Sequence, residues 1–157
     1  MKIKTLLDDD LVNYKKPTMT IAFPKCTFKC EKECGKKVCQ NSELAKMPNI
    51  EVSVGKLIER YMNNKISKAI CLQGLEPFDS WSDVQAFVRE FRSRCDDDIV
   101  IYTGYTEEEK GGEIAWLSQF ADIIVKFGRY IPDQKKHFDE VLGVELASDN
   151  QYGKVIS

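Results

Sequence analysis

Short apolar runs alternate along this chain with segments whose apolar residues recur every three or four positions. The runs predict strands over residues 19–23, 69–72, 98–102 and 122–126, with a last short one at 154–156. The striped segments predict helices after Ser53, near residues 79–80, and from Thr106 with a break at Gly111–Gly112. Alternation of this kind predicts an α/β fold with a parallel sheet and right-handed crossovers.

Composition narrows the class of protein. The chain has 157 residues, the length of one domain, and its 43% hydrophobic and 31% charged content excludes wholesale disorder. The net charge of −2 provides no global field that would draw the protein onto nucleic acid or an anionic membrane. No apolar run approaches the ~20 residues of a transmembrane helix. Aspartates at 8–10 end the first apolar segment too early for a signal peptide, so a cytoplasmic location is expected.

The densest chemical signal is a cysteine cluster. Four of the six cysteines fall within a stretch of fourteen residues: Cys26, Cys30, Cys34 and Cys39. In a reducing compartment such a cluster indicates metal binding rather than disulfides. Thiolates suit both zinc and iron–sulfur clusters, and the surrounding lysines are expected to lower the thiol pKa values. The residues alone leave a four-thiolate zinc site and an iron–sulfur site open.

Three loops follow predicted strands and carry the polar residues of interest. They are the cysteine loop, the turn Gly74-Leu75-Glu76-Pro77 and the turn Thr103-Gly104-Tyr105. Ligands of parallel sheets bind at the carboxyl ends of the strands, so these loops are expected to gather at one edge. Taken singly, each of the two turns is also typical of an ordinary strand-ending turn.

Together these motifs resemble the radical S-adenosylmethionine (SAM) superfamily, and within it the anaerobic ribonucleotide reductase activating proteins. The similarity covers about residues 17–157, which leaves 1–16 as an N-terminal extension of a single domain, 1–157. Four segments carry it: Cys26-Thr-Phe-Lys-Cys30 with Cys39-Gln-Asn-Ser42, Gly74–Pro77 (like Gly-Gly-Glu-Pro), Ile101-Tyr-Thr-Gly-Tyr105, and Ala147–Gln151 (like a Ser-x-Asn-Gln ending).

The resemblance implies a parallel-sheet partial (βα) barrel of the small radical SAM type, open on one side to a protein loop. It implies a 4Fe–4S cluster and SAM as cofactors, with reductive cleavage of SAM to a 5′-deoxyadenosyl radical. The expected partners are a glycyl-radical enzyme, the large subunit of an anaerobic ribonucleoside-triphosphate reductase, and a flavodoxin-like reductant. No catalytic residue beyond the cluster is implied. The implied SAM-binding residues are Gly74, Glu76, Pro77, Thr103, Tyr105 and Asn150.

The third cluster ligand is ambiguous because the family spacing, C-x3-C-x2-C, places Glu33 where a cysteine should be. We expect Cys26, Cys30 and Cys39 to be the ligands, because a family-like Gln-Asn-Ser follows Cys39. Residues 31–38 are then an insertion. Cys34 is the alternative third ligand.

Two further departures bear on function. Leu75 replaces the second glycine of the Gly-Gly-Glu-Pro turn, and Ile124–Gly128 stands where activating proteins often read Val-Asp-Gly-Pro. They leave room for a radical SAM enzyme that acts on another peptide or a small molecule. A four-cysteine zinc-loop interaction module and an electron-transfer iron–sulfur protein are the remaining alternatives.

Overall fold

The computed structural model describes all residues, 1–157. Its strands are β1 (Lys2–Ile3), β2 (Thr5–Asp10), β3 (Thr18–Phe23), β4 (Ile50–Glu51), β5 (Ala69–Gly74), β6 (Asp98–Tyr102), β7 (Ile123–Phe127), β8 (His137–Asp139), β9 (Val144–Leu146) and β10 (Tyr152–Val155). Its helices are α1 (Lys29–Cys34), α2 (Ser42–Lys46), α3 (Val54–Asn63), α4 (Trp81–Arg92) and α5 (Gly111–Leu117), with a 3-10 turn at Pro77–Ser80 before α4.

Six strands form one sheet in the order β10-β7-β6-β5-β3-β2. The inner strands β3, β5, β6 and β7 are parallel, whereas β2 and β10 pair antiparallel with their neighbours. The expected partial barrel with a parallel sheet is therefore wrong: the fold is a small mixed α/β protein with an open sheet. The physical reason lies in the connections, because no helix separates β2 from β3 or β7 from β10. A parallel return needs a long crossover, usually helical. Only residues 11–17 join β2 to β3, and the longer connection from β7 to β10 forms the hairpin β8–β9 instead of a helix.

The two faces of the sheet differ in composition. Register aligns Ile21, Leu72, Ile101 and Val125 in one row, and all four are fully buried. This face packs against α3 and α4 and contains the larger core cluster of 21 buried residues.

The opposite face packs against a second, smaller cluster of six buried residues, which includes Val100 and Ile124. Its last row, at the carboxyl ends of the strands, is polar, and there Tyr102 pairs with Lys126. We call the first face the core face and the second, after its polar row, the polar face.

The predicted helix starts have different outcomes. α3 begins where expected, since the Ser53 side chain accepts a hydrogen bond from the Lys56 backbone N–H at 3.1 Å. The helix expected from Thr106 is wrong, because α5 begins only at Gly111. Thr106 and Glu109 exchange side-chain and backbone hydrogen bonds at 2.9 and 3.3 Å, which closes a separate turn.

The first sixteen residues are integrated into the fold. β2 forms one edge of the main sheet, and β1 pairs with β4. The N-terminal extension therefore contributes hydrogen-bonded strands. None of the helices combines the length and the apolar character needed to cross a bilayer.

Candidate metal centre

The three loops that follow β3, β5 and β6 lie together at one end of the sheet. β3 and β5 run in register up to the pair Phe23 and Gly74, and β6 ends beside them at Tyr102. A cavity of about 340 Å³ opens at this end. It is lined by residues from the cysteine loop, the Gly74–Pro77 turn and the end of β6, as well as from the end of β7.

Three of the four clustered cysteines line this cavity: Cys26, Cys30 and Cys39. All three are partly exposed. Cys34 lies outside it, with its sulfur near the carbonyl oxygens of Glu31 and Lys36 at 3.8 and 3.4 Å. The expected ligand set therefore shares one cavity, and the alternative ligand does not.

Local backbone geometry positions these thiols. Phe28 adopts a left-handed conformation with φ of 54° immediately before α1, and its N–H donates to the Cys26 sulfur at 3.2 Å. Across the loop, the Cys39 N–H donates to a carboxylate oxygen of Glu31 at 3.2 Å. Glu31 belongs to α1, so the residues treated as an insertion orient the third thiol.

For Cys26 and Cys30 the structure gives raised thiol pKa values, whereas the surrounding lysines were expected to lower them. Burial raises the pKa of Cys26 to about 11, although the hydrogen bond from the Phe28 N–H opposes the rise. Burial also raises the pKa of Cys30, and negative charge on Cys39 adds to that effect. Several loop lysines, Lys25 and Lys32 among them, are exposed, where solvent screens their charge. The thiols must lose their protons when a metal binds.

The soft thiol donors of this cavity have the chemistry that an iron–sulfur cluster requires. No group of three or more His, Cys, Asp or Glu side chains is close enough to hold one metal ion. A zinc site requires every sulfur about 2.3 Å from the same ion. Three soft thiol donors around one cavity suit a larger cluster, which spreads its ligands over several irons. Cys26, Cys30 and Cys39 are the residues that would hold it.

The Gly74–Pro77 turn is built around a required glycine. Gly74 has φ of +99°, and a Cβ at this position would lie 2.6 Å from the Ala22 Cα and the Phe23 nitrogen. The side chain of Asn41 donates to the Gly74 carbonyl oxygen at 2.6 Å and so ties the cysteine loop to this turn. Leu75, the departure from the family pattern, also lines the cavity.

Glu76 joins two of the predicted motifs. Its carboxylate accepts hydrogen bonds from the Thr103 hydroxyl, the Gly104 N–H and the Phe78 N–H at 2.9, 2.9 and 3.1 Å. The residue is only 5% exposed. Burial raises the pKa of Glu76 to about 7 despite these three donors. Because four acceptor positions are available on a carboxylate, one position stays open to a ligand.

The other predicted SAM-binding residues differ in whether they line a cavity. Tyr105 borders a smaller cavity of about 30 Å³ beside Cys26 and Cys30, and its hydroxyl donates to Asp79 at 2.7 Å. Pro77 is buried at the start of the 3-10 turn and lines neither cavity.

Asn150 is exposed and donates to the Arg129 carbonyl oxygen at 2.8 Å. Its neighbour Gln151, which lines the cavity, is the better placed of the two.

Two basic residues of the site were not singled out from the sequence. Lys126 and Arg129 line the cavity from β7 and the residues after it. Arg129 pairs with Glu109 at 2.6 Å and with Glu33 at 3.4 Å. The sequence carries a signal for Lys126, because one lysine interrupts the apolar run Ile123–Phe127.

Comparison with known proteins gives one match. A family model described as a 4Fe-4S single cluster domain matches residues 18–151. No curated protein and no solved structure shows a match to the chain. The matched span contains all four clustered cysteines and the strands β3, β5, β6 and β7.

Proposed function

The chain belongs to the family of 4Fe-4S single cluster domains, and from this premise we propose that it is a radical SAM activase. In this proposal it cleaves SAM reductively and installs a glycyl radical on a partner enzyme. The observation that carries the proposal is the shared cavity. Cys26, Cys30 and Cys39 line it together with Gly74, Glu76 and Thr103, so the three motifs of the resemblance meet around one space.

A three-thiolate set matters because it leaves one iron of a 4Fe–4S cluster without a protein ligand. When bound, such a cluster supplies an open coordination position and the electron that cleaves the sulfonium of SAM into methionine and a 5′-deoxyadenosyl radical. The protein binds and orients the cluster and SAM and excludes water from them. Cys34, which lies outside the cavity, is not needed as a ligand in this scheme.

The hydrogen bonds around the cavity support the roles that this proposal gives to its residues. Glu76 has one free acceptor position, which suits the ammonium group of SAM. Thr103 and the Gly104 N–H hold that carboxylate in place. Gly74 allows the chain to turn closely against β3, and Asn41 holds its carbonyl. Tyr105 borders the cysteine side of the site.

The proposed partners are a glycyl-radical enzyme, of the anaerobic ribonucleoside-triphosphate reductase type, and a flavodoxin-like reductant. Exposed lysines on the cysteine loop support the second of these. Lys25, Lys32, Lys36 and Lys37 are exposed, and none of them forms an ion pair within the chain. An acidic reductant would meet complementary charge there.

The test is electron paramagnetic resonance of anaerobically reconstituted protein, reduced with dithionite and recorded with and without SAM. We expect a 4Fe–4S signal that changes when SAM is added, because SAM would reach the open iron. A matched variant, Glu76→Gln, should keep the cluster signal and weaken its response to SAM.

Other outcomes separate the alternatives. A cluster signal indifferent to SAM would reject the activase and leave an electron-transfer protein. Tightly held zinc in place of iron would point to a zinc-loop interaction module. SAM cleavage without radical formation on any reductase subunit would favour another peptide or a small molecule as substrate.

A further inference from the structure

A charged side chain stands in the middle of an otherwise apolar strand. Lys126 belongs to β7, in which every residue is buried, and it is itself 7% exposed. The other residues of this strand are Ile123, Ile124, Val125 and Phe127. A buried ammonium is strongly unfavourable unless it is paired and hydrogen-bonded. Its presence here therefore calls for a compensating negative charge.

The protein itself compensates this charge only in part. The Lys126 ammonium donates to the Gly128 carbonyl oxygen at 2.8 Å. It forms no ion pair with any carboxylate of the chain. The Tyr102 ring centroid is 5.9 Å away, which offers a weak cation–π contact. An ammonium has three donors, so two of the three have no acceptor in the chain.

Lys126 lines the same cavity as Cys26, Cys30 and Cys39. Arg129, the other cation of this cavity, is already paired with Glu109 and Glu33. Burial lowers the pKa of Lys126 to about 8, and the negative charges of Glu76 and Cys30 act in the opposite direction. Lys126 thus interacts electrostatically with the negatively charged groups at the cysteine end of the cavity.

We propose that Lys126 is the counter-charge of the iron–sulfur cluster and raises its reduction potential. A cluster held by three thiolates is anionic, and reduction by one electron makes it more so. A cation that is itself buried beside the cavity stabilises the reduced form more than the oxidised form, since solvent screens its charge only weakly. Net charge around a cluster is one of the factors that set its potential.

This role rests on the family's cluster and not on SAM. If SAM fails to bind, the activase proposal fails while the role of Lys126 stands. If the potential does not depend on Lys126, this inference fails while the activase proposal stands. The two are therefore tested separately.

The experiment is a potentiometric titration of the reconstituted protein without SAM, with dithionite as the one-electron donor and the reduced signal as readout. We expect Lys126→Met to shift the equilibrium at least tenfold toward the oxidised cluster, which is a fall of about 59 mV for a one-electron couple. Lys126→Arg keeps the charge and should stay within about threefold of the wild type. Lys32→Met is the matched control, because it removes an exposed lysine two residues from Cys30.

An unchanged potential in Lys126→Met, or an equal fall in Lys126→Arg or Lys32→Met, would overturn the proposal. If Lys126→Met fails to load a cluster and Lys126→Arg loads one, the proposal is supported, because loading then depends on the positive charge. If neither variant loads a cluster, the proposal is contradicted. The cluster-free Lys126→Met protein should be at least as resistant to urea as the wild type, since an uncompensated buried charge has been removed. Unfolding of this variant would contradict the proposal.

Discussion

The core face and the polar face of the sheet are built from the same four strands but serve different purposes. On the core face the aligned row Ile21, Leu72, Ile101 and Val125 is fully buried under α3 and α4. On the polar face Gln73, Tyr102 and Lys126 line the cavity beside the cysteines. Ile101 and Tyr102 are neighbours on one strand, yet the first packs in the larger core and the second lines the cavity, because successive side chains point to opposite faces.

The largest expected effect concerns the cysteines next to the polar face. Cys39→Ala should abolish stable loading of a 4Fe–4S cluster, because it removes one of three thiols that line the cavity. Cys34→Ala should load iron and sulfide as the wild type does, since its sulfur lies outside the cavity. Iron and sulfide analysis after reconstitution measures both variants. The reverse pattern would make Cys34 the third ligand.

On the core face, Ile101→Ala should lower the free energy of unfolding by about 2–5 kcal/mol. Ile101 is fully buried in the larger core cluster, so the truncation leaves a cavity. Urea unfolding of the cluster-free protein under reducing conditions measures the loss. The folded variant should still load a cluster. A loss below about 1 kcal/mol would show that this face is packed more loosely than its burial suggests.

Glu76 makes the stability of the cluster-free protein depend on pH. Its pKa rises from an ordinary 4.5 to about 7, because burial disfavours the carboxylate. An acid whose pKa is raised in the folded state stabilises that state most below its unfolded pKa. The advantage is lost as pH rises from about 4.5 to about 7, and the loss is about 3 kcal/mol.

Urea unfolding at pH 5 and pH 8 tests this dependence. Lys126 contributes little to the comparison, because its lowered pKa places its own window between about 8 and 10.5. Glu76→Gln cannot titrate, so it should show a smaller difference between the two pH values. An equal difference in the variant and the wild type would assign the dependence to other groups.

The smallest change in the free energy of unfolding is expected for Tyr102, which follows Ile101 and lies on the polar face. The Tyr102 hydroxyl donates to the Asn13 carbonyl oxygen at 2.6 Å. Tyr102→Phe removes this hydrogen bond with little change in shape and should cost about 1 kcal/mol. Urea unfolding measures this loss of free energy, and the loss in Ile101→Ala is the value with which it is compared. A cost as large as that of Ile101→Ala would mean that this single hydrogen bond stabilises the fold as much as a fully buried core side chain does.

Local patterns predicted most elements but not the edges of the sheet. The strand at 98–102 and the helix after Ser53 are where expected, because periodicity and an N-cap are local signals. The partial barrel was wrong, because the directions of β2 and β10 depend on connections without helices. The start of α5 was wrong too, because Glu109 forms an ion pair with Arg129, which lies twenty residues away, and closes a local turn with Thr106.

For the site, too, some features were predictable from the sequence and others depended on the fold. The sequence by itself determined which chemistry is available, since clustered thiols, a glycine-led turn and a strand-ending Thr-Gly-Tyr are local features. Only the tertiary structure decided which of them share a space: Cys39 lines the cavity and Cys34 does not, and Lys126 joins from a distant strand. The physical reason is that ligand geometry and electrostatic coupling depend on distances across the sheet, which the packed fold sets and linear spacing does not.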